Sequence, residues 1–341
     1  MRAGWPAPVS TARRAECRVG GAVAALLSCK QDNPEPAMNI ANIAPHVYRG
    51  LCNASAALAL DADRFVVADD EISVLKVYRF DTPGLPLPGE DIDLHAFLGG
   101  KEEADLEGSA LVGDTIYWIG SHGADGDGNP APARRVLFAT RRGGPGERLL
   151  VPLGQPCRRL LDDLAGTPVQ QRYDLLGAAS KAPKDPGGLS IEGLADTPEG
   201  HLLIGLRNPV PAEGVLLLVL ENPAEVVDGK PARFGPHLSV DLGGQGIRSI
   251  ERHGDGYFIV AGPPGKGKEF AVYRWSGLPE ERPRKLDVPQ LAGLNPEALF
   301  FDPDGWLHIL SDDGKDQPGG VKCKHLPADQ RQFRRIALAL G

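Results

Sequence analysis

Five stretches of this sequence repeat one pattern in one register, and that repetition constrains the fold more than anything else in the chain. They start at Ser55, Glu107, Glu192, Arg248 and Glu297. The clearest copy lies within Ser190 to Pro209. Glu192-Gly193 opens a short apolar run, Pro198-Glu199-Gly200 makes a turn, and Leu202 to Leu206 forms a second run that ends in Arg207-Asn208-Pro209. Two short runs around a Pro/Gly turn read as a β-hairpin. A hairpin brings its ends together, so Glu192 and Arg207, 15 positions apart, belong to one place in space.

In the other copies the turn is Asp61-Ala62-Asp63, Val112-Gly113-Asp114, Gly254-Asp255-Gly256 or Pro303-Asp304-Gly305. A third apolar run follows each hairpin: Val77-Tyr78-Arg79, Leu137-Phe138-Ala139, Leu216 to Leu220, Val272-Tyr273-Arg274 and Val321-Lys322-Cys323. A fourth follows that: Ile92 to Phe97, Leu149 to Leu153, Leu238 to Leu242, Leu286 to Leu291 and Ile336 to Leu340. The starts are spaced 52, 85, 56 and 49 residues apart. Four short strands in units of about fifty residues are the signature of an all-β fold, the β-propeller. A helical repeat does not fit, because turns recur every eight to twelve residues between Val-, Ile-, Leu- and aromatic-rich runs. A β-sandwich also has short strands, but it does not explain five copies of one four-strand unit. The expectation is a single propeller domain over residues 38–341 with five detectable repeats, closed as five blades, or as six if a degenerate one is hidden.

The one place for a hidden blade is the long interval before Glu192. It holds an insertion at about residues 155–184, in which Arg158 to Ala179 has helical spacing. Pro168 interrupts that spacing, so two short helices crossing one face are expected.

Composition narrows the function classes. With 42% apolar and 24% charged residues the chain is globular, and its 43 glycines and 31 prolines suit many tight turns. The net charge is −8 with no basic stripe, which argues against a nucleic-acid partner. No apolar run is long enough for a transmembrane segment. Residues 1–37 stand outside the repeat and admit two readings. One is a signal-like leader with a lipoprotein-type Cys29, and hence export. The other is an unstructured leader upstream of a start at Met38, and hence a cytoplasmic protein. The cysteines at 17, 29, 52, 157 and 323 are odd in number and widely spaced, so neither a disulfide framework nor a zinc site is indicated. Cys52 and Cys323 are expected to pack as small apolar residues.

In a propeller the first strand of each blade lines the central channel, and the chain leaves the second strand on the same face. The repeat starts, Ser55, Glu107, Glu192, Arg248 and Glu297, should therefore meet the residues fifteen places on, Asp70, His122, Arg207, Pro263 and Asp312, at one channel mouth. Asn53, Asp69, Glu71, Ser121, Asn208, Asp313 and Lys315 are their neighbours. Glu103, Asp105 and Glu107 alternate with Ala104 and Leu106, and on an extended chain they share one face. Carboxylates so placed repel one another unless raised pKa values, arginine partners or a cation offset the charge. An oxygen-rich acidic ring suits a hard divalent ion such as Ca²⁺. Asp70, Asp105, Glu107, Glu192, Glu297 and Asp312 are the candidate ligands. Arg207 and Arg248, with Asn208 and Ser121, could hold a small anionic molecule. If the arginines clamp a ligand, their donors should be free; if they are structural, carboxylates should occupy them. His122 and Glu192 are the candidates for proton transfer, with an ordinary loop role for His122 equally open. Ser121 is not in a GxSxG elbow, and Gly243-Gly244-Gln245-Gly246 and Gly262 to Gly267 match no nucleotide-binding pattern.

The segments KEEADLEG, YWIGSHG, LFAT, SIEGLADTPEG, LIGLRNP, GIRSIE and YRWSG resemble an uncharacterised bacterial family catalogued as a domain of unknown function. The resemblance spans about Asn53 to Asp313 and implies a propeller without an established activity. More distantly, the Glu-Gly-Leu hairpin is similar to phytase-like (esterase-like) and gluconolactonase-type propellers. In the latter a Glu at the start of such a hairpin helps hold a divalent metal. By position, Glu107, Glu192 and Glu297 fit that role, while the Asn and Asp ligands of the gluconolactonase pattern have no unambiguous match. Two functions follow as expectations. One is a metal-dependent hydrolase of a phosphorylated or otherwise anionic small molecule. The other is a non-catalytic binding propeller with a structural ion.

Overall fold

The structure is a computed structural model that describes residues 44–315 and 317–340. The residues of the two leader readings lie outside the described ones. Among the described residues twenty strands form five four-stranded antiparallel sheets, and the innermost strands contact one another in a closed circle. The protein is a five-bladed β-propeller. The inner strands are Ala54–Ala59, Leu106–Val112, Ser190–Asp196, Gly246–His253 and Pro296–Phe301, heading blades 1 to 5 in that order.

Blades 1 to 4 each take four strands in chain order; blade 5 does not. Its third strand is Gln332–Ala339, and its outer strand comes from the other end of the chain, His46–Arg49, with His46 opposite Arg335. The expected third run, Val321-Lys322-Cys323, is not a strand. It follows Gly319 and Gly320, both at positive φ, and runs into a 3₁₀ turn at Cys323–His325. The run expected as a fourth strand, Ile336 to Leu340, is instead largely the third. Borrowing the outer strand from the chain start joins the two ends and leaves no open seam in the ring. Aromatic rings pack that seam. Tyr48 of the outer strand stacks on Phe333 at 5.4 Å and meets Phe65 and Tyr78 edge-on at 5.2 and 5.5 Å. Such pairs contribute about 0.5–1.5 kcal/mol each beyond their buried area.

The apolar faces pack between neighbouring blades. One cluster joins blades 1 and 2 around Trp118 and Phe138, another joins blades 4 and 5 around Val272 and Ile309, and a third closes blade 5 on blade 1. Hydroxyls stitch the inner strands. Ser55 Oγ donates to the Leu106 carbonyl at 2.5 Å and Ser109 Oγ to the Ala57 carbonyl at 3.1 Å.

The insertion carries three short helices, Leu160–Asp163, Pro168–Tyr173 and Leu175–Ala178. The break at Pro168 is joined by a second at Asp174, which takes a left-handed conformation (φ 46°) and caps the last helix by accepting from the Gly177 N–H. Leu160, Leu161, Leu164 and Leu175 bury into the core of blades 2 to 4. No helix among the described residues is long and apolar enough to cross a membrane.

Candidate functional site

The register of the inner strands explains why the repeat starts matter. In every blade the pairing of inner and second strand slips by one residue at the same place. The slips lie between Ala54 and Ala56, Leu106 and Gly108, Ile191 and Gly193, Ile247 and Ser249, and Pro296 and Ala298. The unpaired residues are Ser55, Glu107, Glu192, Arg248 and Glu297, the five repeat starts themselves. A β-bulge bends the strand and re-aims the extra side chain. Five bulges in one register therefore bring five repeat starts to one end of the channel. Side chains from this ring and from the strand ends beside it line a cavity of about 570 Å³.

The ring divides into two halves of different electrostatics. On one side the charges cancel. Arg207 Nη1 donates to Glu192 Oε1 at 2.9 Å, Arg248 Nη1 lies 2.8 Å from Glu192 Oε2, and Arg248 Nη2 contacts Glu297 Oε1. Arg207 also donates to the Pro263 carbonyl at 3.1 Å and the Gly265 carbonyl at 2.7 Å. The arginines are thus held in the structural arrangement, not left free to clamp. Glu192 is 3% exposed and carries further load from the Ser190 hydroxyl at 3.1 Å. Burial pushes its carboxyl up, but Arg207 and Arg248 outweigh burial and leave it below its usual range. Glu192 is therefore a committed anion between two cations, its Oε2 facing the Arg248 guanidinium without a hydrogen bond of its own. The Gly246 backbone lies so close to the Arg207 carbonyl that a Cβ there would come within 1.9 Å of it, so only glycine fits where blade 4 begins.

On the other side three carboxylates face one another. Asp70, Asp105 and Glu107 each bring an oxygen within 4.8 Å of the other two, the one such acidic group among the described residues. Burial first, then Asp69, Asp312 and Asp105, push Asp70 well above the usual carboxylate range. Burial and then Glu192, Asp105 and Asp70 do the same to Glu107. Asp105 is raised by burial, and Arg134 and the Ser121 hydroxyl pull it part of the way back. Arg134 is the one arginine here, 3.2 Å from Asp105 Oδ2 and 2.6 Å from Glu103 Oε1. One guanidinium shared by Glu103 and Asp105 leaves Asp70 and Glu107 without an ion pair. Asp70 Oδ1 is buried with no hydrogen-bond partner. A desolvated oxygen of this kind costs about 1–3 kcal/mol or more unless something binds it. All the donors are oxygens, which fits Ca²⁺ or a related hard ion.

The proximity of Glu103, Asp105 and Glu107 does not come from an extended chain. The strand starts only at Leu106; Asp105 is left-handed (φ 49°) and Glu107 is the bulge.

The other expected site residues fall as follows. Asp312 lines the cavity, and the Gly314 N–H donates to its Oδ1 at 2.8 Å. Asn208 is buried and donates to the Pro183 and Asp185 carbonyls at 2.9 and 2.7 Å. It therefore pins the tail of the insertion across the mouth. Ser121 is buried behind Asp105 and its hydroxyl serves that carboxylate. His122 is fully buried and does not line the cavity. Its Nδ1 is 2.8 Å from the Gly120 carbonyl, and burial lowers its pKa to about 4, so it is neutral at pH 7 and out of a ligand's reach. Arg134, Lys184 and Lys266, not singled out from sequence as site residues, also line the wall. Arg134 is the last residue of a 3₁₀ turn, Pro132–Arg134, in a blade 2 loop, Lys184 lies on the insertion tail, and Lys266 lies on a blade 4 loop. Burial, then the like charges of Arg207, Lys315 and Arg248, lower the Lys184 pKa.

No curated protein matches the chain. Among solved structures, a glutaminyl cyclase of Myxococcus xanthus is similar at 11% identity with a TM-score of 0.47, covering 88% of this chain and 97% of that one. The aldose sugar dehydrogenase of Streptomyces coelicolor, in its PQQ-bound form, is 13% identical with a TM-score of 0.43, over 89% and 99% of the two chains. A GH43_1 enzyme from Xanthomonas citri is also 13% identical, with a TM-score of 0.44 over 89% and 92%. In sequence, residues 171–299, from the last turns of the insertion to the inner strand of blade 5, match the family described as "Protein of unknown function (DUF3616)".

Proposed function

We propose that the channel mouth holds a divalent cation of the calcium class through Asp70, Asp105 and Glu107, and that this cation and the lysines beside it take an anionic small molecule for hydrolysis. The observation that carries the reading is the unpartnered, buried Asp70 Oδ1 within a trio of carboxylates in which only Asp105 meets an arginine. A cation there, when bound, acidifies its water and polarises a phosphoryl or carbonyl oxygen. The chain's own residues supply the rest. Lys184, Lys266 and Lys315 line the same cavity and offer ammonium groups to phosphate or carboxylate oxygens. The Arg207–Glu192–Arg248–Glu297 series fixes the opposite wall and takes no direct part. His122 is sealed off, so a proton leaving water has Asp312 or the trio itself as acceptor. That sealed histidine favours the second reading, a site that binds an anion through its cation without turnover.

The test is a panel of phosphomonoesters, phosphodiesters, aryl esters and lactones, with Ca²⁺ and after chelation. Cation-dependent turnover is expected, abolished in Asp70→Asn. Lys184→Ala is expected to raise KM about tenfold or more with kcat little changed, the size of one charge-assisted hydrogen bond. Calorimetric binding of anions only with Ca²⁺, and no turnover on any substrate, would select the binding reading. Turnover that survives chelation and Asp70→Asn would refute both.

A further inference from the structure

Cysteine spacing indicates no disulfide and leaves Cys52 and Cys323 to pack as small apolar residues; their sulfurs are instead bonded, with 6.0 Å between the Cα atoms and a sequence separation of 271. The bond sits in the wall of the candidate site. Cys323 itself lines the cavity, on the stretch between Ser311 and Gln332 that has no strand and also supplies Asp312, Lys315 and Lys322 to the wall. Arg334 pairs with Asp313, and buried Gln317 donates to the Asp313 and Gln332 carbonyls at 2.8 and 2.7 Å and accepts from the Gln332 N–H at 3.1 Å. The Asp313 N–H donates to the Cys52 carbonyl at 3.0 Å, and the Cys323 N–H to the Gly314 carbonyl at 3.3 Å. Gly314 packs so tightly on Asn53 that a Cβ would come within 1.7 Å of Asn53 Oδ1. On the other side of the bond, the N–H groups of Cys52 and Asn53 donate to Asp69 Oδ2 at 3.4 and 3.2 Å. Asp69 is the residue before Asp70. The disulfide thus joins the loop that walls the cavity to the segment that aims Asp70.

We propose that this disulfide is the latch of the channel-mouth site: the site is complete only in the oxidised protein, and the protein works in an oxidising compartment. The proposal rests on the cation reading above for the ligand, and on the bond alone for the latch and the compartment. The redox step is a thiol–disulfide exchange. The two thiols give up two protons and two electrons to an external disulfide, which leaves as two thiols. Cytosolic thiol pools run that exchange in reverse and keep cysteines reduced, whereas extracellular and periplasmic settings keep the bond. Of the two compartments left open by the sequence, export is the one that keeps the latch closed. With the bond cut, the described residues of this stretch stay anchored through Asp313, paired with Arg334, and through Gln317, bonded to the Gln332 backbone, while the part around Cys323 keeps short 3₁₀ turns. Segments without strand pairing open locally before the whole fold does.

The experiment uses the full chain secreted into a bacterial periplasm and, separately, the same protein after dithiothreitol. A non-reducing digest of the secreted protein is expected to give a Cys52–Cys323 cross-linked peptide. Trypsin is expected to cleave after Lys315 and Lys322 at least tenfold faster in the reduced protein, while circular dichroism stays that of a folded β protein. Calorimetry with Ca²⁺ is expected to give a Kd at least tenfold weaker after reduction, and the Cys52→Ser/Cys323→Ser variant should match the reduced protein in both assays. Free thiols at both positions in the secreted protein, or equal cleavage and equal Kd in the two states, would overturn the latch. If the oxidised protein binds no Ca²⁺, the cation reading fails, and the cross-linked peptide and the cleavage rates decide the latch by themselves.

Discussion

Glu192→Ala is expected to destabilise the protein by about 3–5 kcal/mol, because it strands two buried guanidinium groups at once. Arg207 and Arg248 are 8% and 5% exposed, and both turn a guanidinium nitrogen to the Glu192 carboxylate. Removing one member of a buried ion series leaves charge without solvent or partner, and that penalty dwarfs the worth of a surface pair. For a domain of this size the loss corresponds to a fall in Tm of about 10 °C. The position separates two roles that the sequence alone could not. A Glu192 that ligated a cation would leave the metal-free fold nearly intact when lost and would take cation binding with it. A Glu192 that neutralises two arginines does the reverse: stability falls steeply, and the surviving fold still responds to Ca²⁺ through Asp70, Asp105 and Glu107. Calorimetric melting of the variant with and without Ca²⁺ reads both. A Tm within about 2 °C of the parent together with a lost cation response would reverse the assignment of the two halves of the ring.

Loss of the Cys52–Cys323 bond is expected to cost a similar amount for a different reason. The bond closes a loop of 271 residues. In the chain-entropy description, a cross-link over so long a loop removes about 5–6 kcal/mol of freedom from the unfolded chain. It does so where the ring itself is closed, since Cys52 follows the outer strand of blade 5 and precedes the inner strand of blade 1. Guanidinium unfolding of Cys52→Ser/Cys323→Ser should show a lower midpoint and also a larger m-value, because the uncrosslinked chain exposes more surface when unfolded. Unchanged midpoint and slope would mean that strand pairing between His46–Arg49 and Gln332–Ala339 closes the ring unaided.

The repeat was legible because each copy carries the same turn chemistry between two apolar runs, and the hairpin geometry alone brings Glu192 to Arg207. What placed Ser55, Glu107, Glu192, Arg248 and Glu297 in the channel was not legible. A bulge is a mismatch between two strands, and one strand's residue pattern does not record it. The sequence named acids and arginines for one ring but could not pair them, since Glu192 and Asp70 look alike until the positions of Arg207 and Arg248 are known. Arg134 and Lys184 reach the wall from a loop and an insertion tail, outside any repeated position. Cys52 and Cys323 gave no signal, because a spacing of 271 residues is uninformative until both chain ends meet in blade 5. The borrowed outer strand escaped notice for the same reason: His46–Arg49 is four residues long and precedes the first hairpin.

The most direct measurement is the melting temperature of the parent protein and of Asp70→Asn, each titrated with Ca²⁺ after exhaustive chelation. Three close carboxylates, of which only Asp105 meets an arginine, repel one another, and desolvation together with that repulsion raises Asp70 and Glu107 well above their usual range. Neutralising Asp70 should therefore make the chelated variant more stable than the chelated parent. Ca²⁺ at about a hundred times its Kd should stabilise the parent by about 2.7 kcal/mol, several degrees in Tm, and leave Asp70→Asn unmoved. A parent Tm indifferent to millimolar Ca²⁺, Mg²⁺ and Mn²⁺, with Asp70→Asn no more stable than the parent, would contradict a cation site at the channel mouth.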